Sequence, residues 1–130
     1  MNLINCRSET IAEKPSFKDA QRCIIPFSGW YEWQKKEETK IPFFHYSKSK
    51  YFAGIFNESG CCILTRASAN ELSHIHHRQP VLLNENEIGE YFMGQNIYDS
   101  SANYNINFYR VSKDVNNPKN NFSSLTKEIC

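Results

Sequence analysis

Between Cys23 and Ser68 the chain runs almost without pause through β-type segments: "CIIPFSGWYEWQ", "IPFFHYSK", "YFAGIFNE" and "CCILTRAS". They are rich in β-branched and aromatic residues and are parted only by polar turns, "KKEETK" and "NESG". Segments this short, joined by turns this tight, pair as strands with their neighbours, and the first return is a hairpin. Ser28-Gly29 breaks the first segment. "NLINC", "PVLL" and "NINFYRVS" read as further strands. Helical character is confined to "KPSFKDAQR", with Pro15 near its start and Ser16 as a cap, to "ANELSHI", and to "ENEIGEYFMG". In the last, Ile88, Tyr91 and Phe92 share a face and Gly94 closes it. The Asn- and Ser-rich tract from Asn96 to Asn121 reads as loop around the final strand. The expected fold is α+β, a mainly antiparallel, partly barrel-like β-sheet with short surrounding helices.

A length of 130 residues suits one domain. It is expected to occupy residues 1–122, with 123–130 as a C-terminal tail. With 14% aromatic and 22% charged residues the composition is that of a folded chain. A net charge of +1 gives no polycation argument for nucleic acid, although residues 1–50 carry nine Lys/Arg against six Asp/Glu. Five cysteines, two of them adjacent and none in C-x-x-C, argue against a disulfide framework or zinc ribbon. Reduced thiols in a cytoplasmic or nuclear protein are the expectation. The start, "MNLINCRSET", has no apolar signal region, and no apolar run reaches membrane-span length.

Three stretches carry chemistry. In "INCRSET" strand alternation puts Asn5, Arg7 and Glu9 on one face and Ile4, Cys6 and Ser8 on the other. An amide, a guanidinium and a carboxylate together either bind a ligand or, as an Arg7–Glu9 pair, decorate an edge strand. In "GWYEWQ" alternation groups Trp30 with Glu32 and Tyr31 with Trp33. A carboxyl hemmed by rings loses hydration and gains proton affinity, while the rings suit stacking on unpaired bases. In "HIHHRQP" the spacing of His74, His76 and His77 suits no zinc pattern, so no metal is expected. One histidine in a turn before a strand suits proton transfer, with a solvated loop as the plainer alternative. His45, between Phe44 and Tyr46, reads as structural.

Taken in order, "INCRSETIAEKPSFKDA", "RCIIPFSGWYEW", "FAGIF", "ILTRASAN", "IHHRQPVLL" and "VSKDVNN" resemble the SRAP (SOS response-associated peptidase) family, whose patterns are I-N-A-R-x-E-T, G-F/W-Y-E-W and I-H-D-R-M-P. The likeness runs from about Ile4 to about Asn121. It implies a DNA-damage protein that handles abasic sites in single-stranded DNA without a cofactor. In that family an N-terminal cysteine, exposed by removal of the initiator methionine, condenses with the sugar aldehyde and closes a thiazolidine. Carried over by position, Asn5, Glu32 and His76 are the catalytic residues. Arg7 and Arg78 hold the DNA, Trp30 supports the pocket or stacks on a base, and Thr65 lies near the DNA. His77 stands where aspartate is usual and Gln79 where methionine is usual.

The resemblance also implies that the nucleophile precedes "LIN", where this sequence has only Met1-Asn2. The expectation is therefore a fragment, a domain completed by another chain that supplies the missing segment, or a shortened member that binds without linking. Cys6 is internal, lacks an α-amine and is expected to face the core. The competing expectation is a non-catalytic single-stranded or junction DNA-binding module with no lyase or hydrolase activity. DNA in the cytoplasm (nucleoid) or nucleus is the implied location, with no membrane association.

Overall fold

A computed structural model of the chain describes residues 3–11 and 19–116. Its strands follow in chain order as β1 (Leu3–Arg7), β2 (Gln21–Pro26), β3 (Trp30–Lys36), β4 (Thr39–Ser47), β5 (Tyr51–Asn57), β6 (Gly60–Ala67), β7 (Arg78–Pro80), β8 (Leu82–Leu83) and β9 (Ile106–Arg110). They form two sheets. The larger runs β1-β6-β5-β2, with β7 on β6 and β8 on β5; the smaller is β3-β4-β9. All pairs are antiparallel except β1 with β6.

The two hairpins follow from the turn chemistry. Glu37-Glu38 joins β3 to β4, with Glu37 at φ 56°, and Glu58-Ser59 joins β5 to β6. Gly29 opens β3 because nothing larger fits: a Cβ there would stand 2.1 Å from the Phe44 ring and 2.7 Å from the His45 carbonyl oxygen. Between the diverging ends of β5 and β6 lies "RQPVLL". The Val81 N–H donates to the Leu64 carbonyl at 2.8 Å, and the Val81 carbonyl accepts from Ala53 N–H at 2.9 Å. That segment is therefore stitched on both sides.

Alternation divides the core. Cys6, Ala53, Ile55, Cys62, Leu64, Val81 and Leu83 face one way, onto buried Tyr91. Tyr91 belongs to α1 (Ile88–Phe92), and its hydroxyl donates to the Gly54 carbonyl at 2.6 Å. Phe52 and Leu82 face the other way with Ala102, meeting Trp30, Ile63 and Ile106 between the sheets. Arg22 of β2 lies 4.7 Å from the Tyr91 ring and donates to the Tyr91 and Gln95 carbonyls, so it caps the end of α1.

Several expectations change. The sheets do not close into a barrel, because β3-β4-β9 pair only among themselves. "ANELSHI" forms successive turns instead of a helix: Leu72 N–H bonds the Ala69 carbonyl and Ile75 N–H that of Leu72, both at 2.9 Å. The Ser73 hydroxyl takes the Asn70 carbonyl, the local competition by which such residues unsettle helices. The predicted helix over Lys14–Arg22 lies largely outside the described residues, but its end is not helical, since Asp19 has φ 61° and Gln21 begins β2. Cys6 does face the core, yet it is joined to Cys62 as a disulfide, against the expectation of reduced thiols. The parallel β1–β6 ladder puts both on one face with Cα atoms 6.0 Å apart, a meeting that a separation of 56 residues does not announce. Cys23 and Cys61 are free. Among the described residues no helix is long and apolar enough to cross a membrane.

Candidate active site

The inner face of the small sheet presents Trp30 and Glu32 from β3, with His45 of β4 opposite Trp30 and Phe108 of β9 opposite His45. Trp30, His45 and Phe108 stack in sequence, at 5.3 and 5.7 Å between ring centroids. His45 is buried, and loss of hydration pulls its pKa down to about 4, so the ring is neutral at pH 7. Next to this stack Glu32 keeps 21% of its side chain exposed. Its pKa is raised, chiefly by burial. The His76 imidazole opposes the rise, as does the Trp30 N–H, which approaches the carboxyl but falls short of hydrogen-bond geometry.

Gln34, on the same face as Glu32, donates to the His74 carbonyl at 2.9 Å and so holds the 70–76 turn against β3. This brings His76 Nδ1 to 4.0 Å from Glu32 Oε1. The same nitrogen lies 3.1 Å from the Arg78 carbonyl oxygen and 3.2 Å from the Arg78 backbone nitrogen. One residue's backbone thus serves Nδ1 in either tautomer: a protonated Nδ1 donates to the carbonyl and leaves Nε2 bare to accept a proton, and a bare Nδ1 accepts from the N–H. That mount suits a side chain that gains and loses a proton.

Arg78 forms the next wall. Its Nη1 and Nη2 fork onto Glu9 at 2.6 and 2.8 Å, and Nη2 also donates to the Thr65 hydroxyl at 3.1 Å. The guanidinium holds the Glu9 carboxyl down to about 2. Glu9 lies beyond the end of β1, so strand alternation does not reach it, and its partner is Arg78 and not Arg7. Among the described residues three buried side-chain polar atoms lack any hydrogen-bond partner: Trp30 Nε1, Ser68 Oγ and Arg78 Nε. All three residues line one narrow, closely packed cleft together with Glu32, His45, Leu72, His76 and Gln79.

Of the residues singled out from sequence, Trp30, Glu32, His76 and Arg78 therefore converge on one cleft, and Thr65 supports it through Arg78. Asn5 and Arg7 are exposed along β1, beside Ile63 and Thr65, on the face of the large sheet that meets the small one. Neither lines the cleft, and Arg7 has no side-chain partner among the described residues. His74 packs edge-on against Phe108, and His77 is exposed beside His76. Among the described residues no three His, Cys, Asp or Glu side chains are placed to hold a metal ion. Sequence reasoning missed Ser68, Glu9 as the partner of Arg78, and the place of His45 and Gln79 in the lining. Only an unpaired buried hydroxyl marks Ser68, and that is visible in three dimensions alone.

The profile of the family described as "SOS response associated peptidase (SRAP)" matches residues 1–118. The abasic site processing protein YoqW of Bacillus subtilis is 33% identical over 150 residues, covering 95% of this chain and 66% of that protein. The abasic site processing protein HMCES of Mus musculus is 32% identical over 169 residues, covering 92% and 48%. An X-ray crystal structure of a protein from Bacteroides thetaiotaomicron superposes with a TM-score of 0.78 at 26% identity, over 97% of this chain and 66% of that one. The chain spans just under two thirds of the length of the bacterial relative and about half that of the mouse protein. A family match over nearly its whole length, joined to relatives above 30% identity and a shared fold, leaves one conclusion: this chain belongs to the SRAP family.

Proposed function

We propose that this domain takes part in the response to abasic DNA, binding the base-free sugar in single-stranded DNA and moving protons on it with Glu32 and His76. The observation that carries the reading is the juxtaposition of a carboxyl of raised pKa and an imidazole 4.0 Å away, in a cleft lined by three residues with unsatisfied polar atoms. As it stands the cleft is too tight to admit even a water-sized group. Entry needs the wall to give, and His76, with 40% of its side chain exposed, is the part nearest solvent.

An abasic sugar passes between a closed hemiacetal and an open aldehyde. Opening removes a proton from the C1′ hydroxyl and delivers one to the ring oxygen. The His76 imidazole is placed to accept the first, and the Glu32 carboxyl, whose hold on a proton burial strengthens, to donate the second. Asn5 and Arg7 extend the same face, Arg7 for a phosphate and Asn5 to orient the sugar or an attacking amine. Capture of the aldehyde requires an amine at C1′, supplied from ahead of Ile4 or by another chain. The relatives named as abasic site processing proteins support the substrate class, and the DNA of cytoplasm or nucleus is where it would act.

The test incubates the protein with an oligonucleotide holding one abasic site and an intact control, followed by native and denaturing gels. Preferential binding of the abasic strand is expected, with strand cleavage or linkage that Glu32→Gln abolishes. Salt-sensitive binding with no Glu32-dependent chemistry would support a non-catalytic DNA-binding module instead. Equal affinity for both strands would remove the abasic reading.

A further inference from the structure

Cys23 and Cys61 stand outside the cleft and outside the disulfide, and the function proposed above uses neither. Both are half-buried, and their Sγ atoms lie 4.0 Å apart. Cys23 is on β2 and Cys61 on β6, and these strands are not neighbours, because β5 runs between them. Side chains of one sheet seldom meet across an intervening strand unless the middle residue is small. Here it is Gly54, paired with Cys23 on one side and on the other with Ile63, two residues along β6 from Cys61. A Cβ on Gly54 would stand 3.0 Å from Cys23 Sγ and 2.8 Å from Ile25 Cδ1, so the Cys23 thiol leans over the space that the glycine leaves open.

Distance separates the two uses of such a pair. Two strand spacings of ~4.8 Å hold the two backbones roughly 9.6 Å apart, whereas Cα atoms more than about 7 Å apart cannot be bridged by a disulfide without backbone movement. A shared ion reaches further. Two metal–thiolate bonds of ~2.3 Å span up to about 4.6 Å between sulfurs, and the observed 4.0 Å falls inside that limit. Thiolates select soft ions. Structural zinc takes four ligands, and among the described residues no third His, Cys, Asp or Glu joins the pair. A soft monovalent ion is satisfied by two thiolates.

We propose that Cys23 and Cys61 form a two-thiolate site for copper(I) or another soft monovalent ion, which ties β2, at the margin of the larger sheet, to β6 across β5. Binding breaks two S–H bonds, releases two protons and forms two sulfur–metal bonds, with no change of oxidation state. Burial, and Cys61 beside it, push the Cys23 thiol up to about 12, so at pH 7 the ion must displace its proton.

The experiment titrates the full chain carrying Cys130→Ser, its disulfide intact, with copper(I) delivered from a bicinchoninate complex under nitrogen and without thiol reductants. Cys130 lies outside the described residues, and its replacement leaves Cys23 and Cys61 as the free thiols. One copper per chain is expected after gel filtration, with a thiolate-to-copper absorption in the ultraviolet and both thiols lost to an aromatic disulfide reagent. The loaded protein should melt at a higher temperature than the unloaded one, since the ion binds the folded chain. Cys23→Ser and Cys61→Ser, each checked for folding by its own melting curve, should each lose the one-to-one uptake. Zinc(II) at the same concentration should not compete. A parent that takes up no copper, or uptake that survives either serine variant, would overturn the inference. So would zinc(II) displacing the copper, or a Cys23–Cys61 disulfide formed on exposure to peroxide and read by mass spectrometry as the loss of two hydrogens.

Discussion

At the scale of single residues, the site stores cost in two titratable groups. Glu32 has its folded pKa raised above 4.5 because burial disfavours the carboxylate. A raised carboxyl pKa means that the protonated form is favoured by folding, so this part of the stability is present below pH 4.5 and is lost as pH rises through the folded value. Glu32→Gln replaces a half-buried charge by a neutral isostere. It is expected to raise the melting temperature at pH 7, with a gain that fades towards pH 4 while abasic-site chemistry disappears; an equal gain at both pH values would contradict burial as the cause. His45 behaves oppositely. Unfolded it titrates near 6.5 and folded at about 4, so between those values the unfolded chain binds a proton that the folded chain refuses. Stability therefore falls as pH drops from 6.5 to 4, by on the order of 3 kcal/mol for this residue. His45→Phe, which keeps a ring in the stack, should flatten the melting-temperature curve across that window.

At the scale of elements, the turn between β6 and β7 decides where His76 sits. It is held from three sides: by Gln34 on the His74 carbonyl, by the Ser68 N–H on the His77 carbonyl at 3.0 Å, and by buried Gln79. Gln79 Oε1 accepts from Ala69 N–H at 2.9 Å, and Nε2 reaches Asn103, whose amide in turn bonds Leu82. Gln79→Met, toward the residue usual in the family pattern, would leave the Ala69 N–H without its partner. Chemical denaturation should show a loss of roughly 1–3 kcal/mol, and an unchanged midpoint would mean that the turn repacks. The hairpin of β3 and β4 was legible in advance because the alternation of "GWYEWQ" and "IPFFHYSK" is local and strong. It correctly put Glu32 with Trp30 on one face. The turn at 69–76 was not legible, because a buried Leu72 and Ile75 at helical spacing look the same whether or not the backbone closes into a helix. The Glu9–Arg78 pair was hidden for another reason. Its partners stand 69 positions apart, and a nearer arginine, Arg7, offered itself first.

At the scale of the whole molecule, the residues that the resemblance singled out divide, Trp30, Glu32, His76 and Arg78 lining one cleft and Asn5 lying outside it, while the path of the sheets had to come from the coordinates. Among the described residues the two sheets leave β1 at the margin of the larger one, with Asn5 and Arg7 exposed along it. The 150 aligned positions shared with the Bacillus protein exceed this chain's 130 residues, so that relative carries internal segments to which nothing in this chain corresponds. Without them the chain keeps the cleft and both hydrophobic clusters. "RQPVLL", seamed to β5 on one flank and β6 on the other, carries Arg78 at its start and follows directly on His76 and His77. The imidazole is therefore set near the root of a beam, not at its tip, and a blow to the seam at Val81, remote from any reacting atom, would be felt first in the aim of that ring.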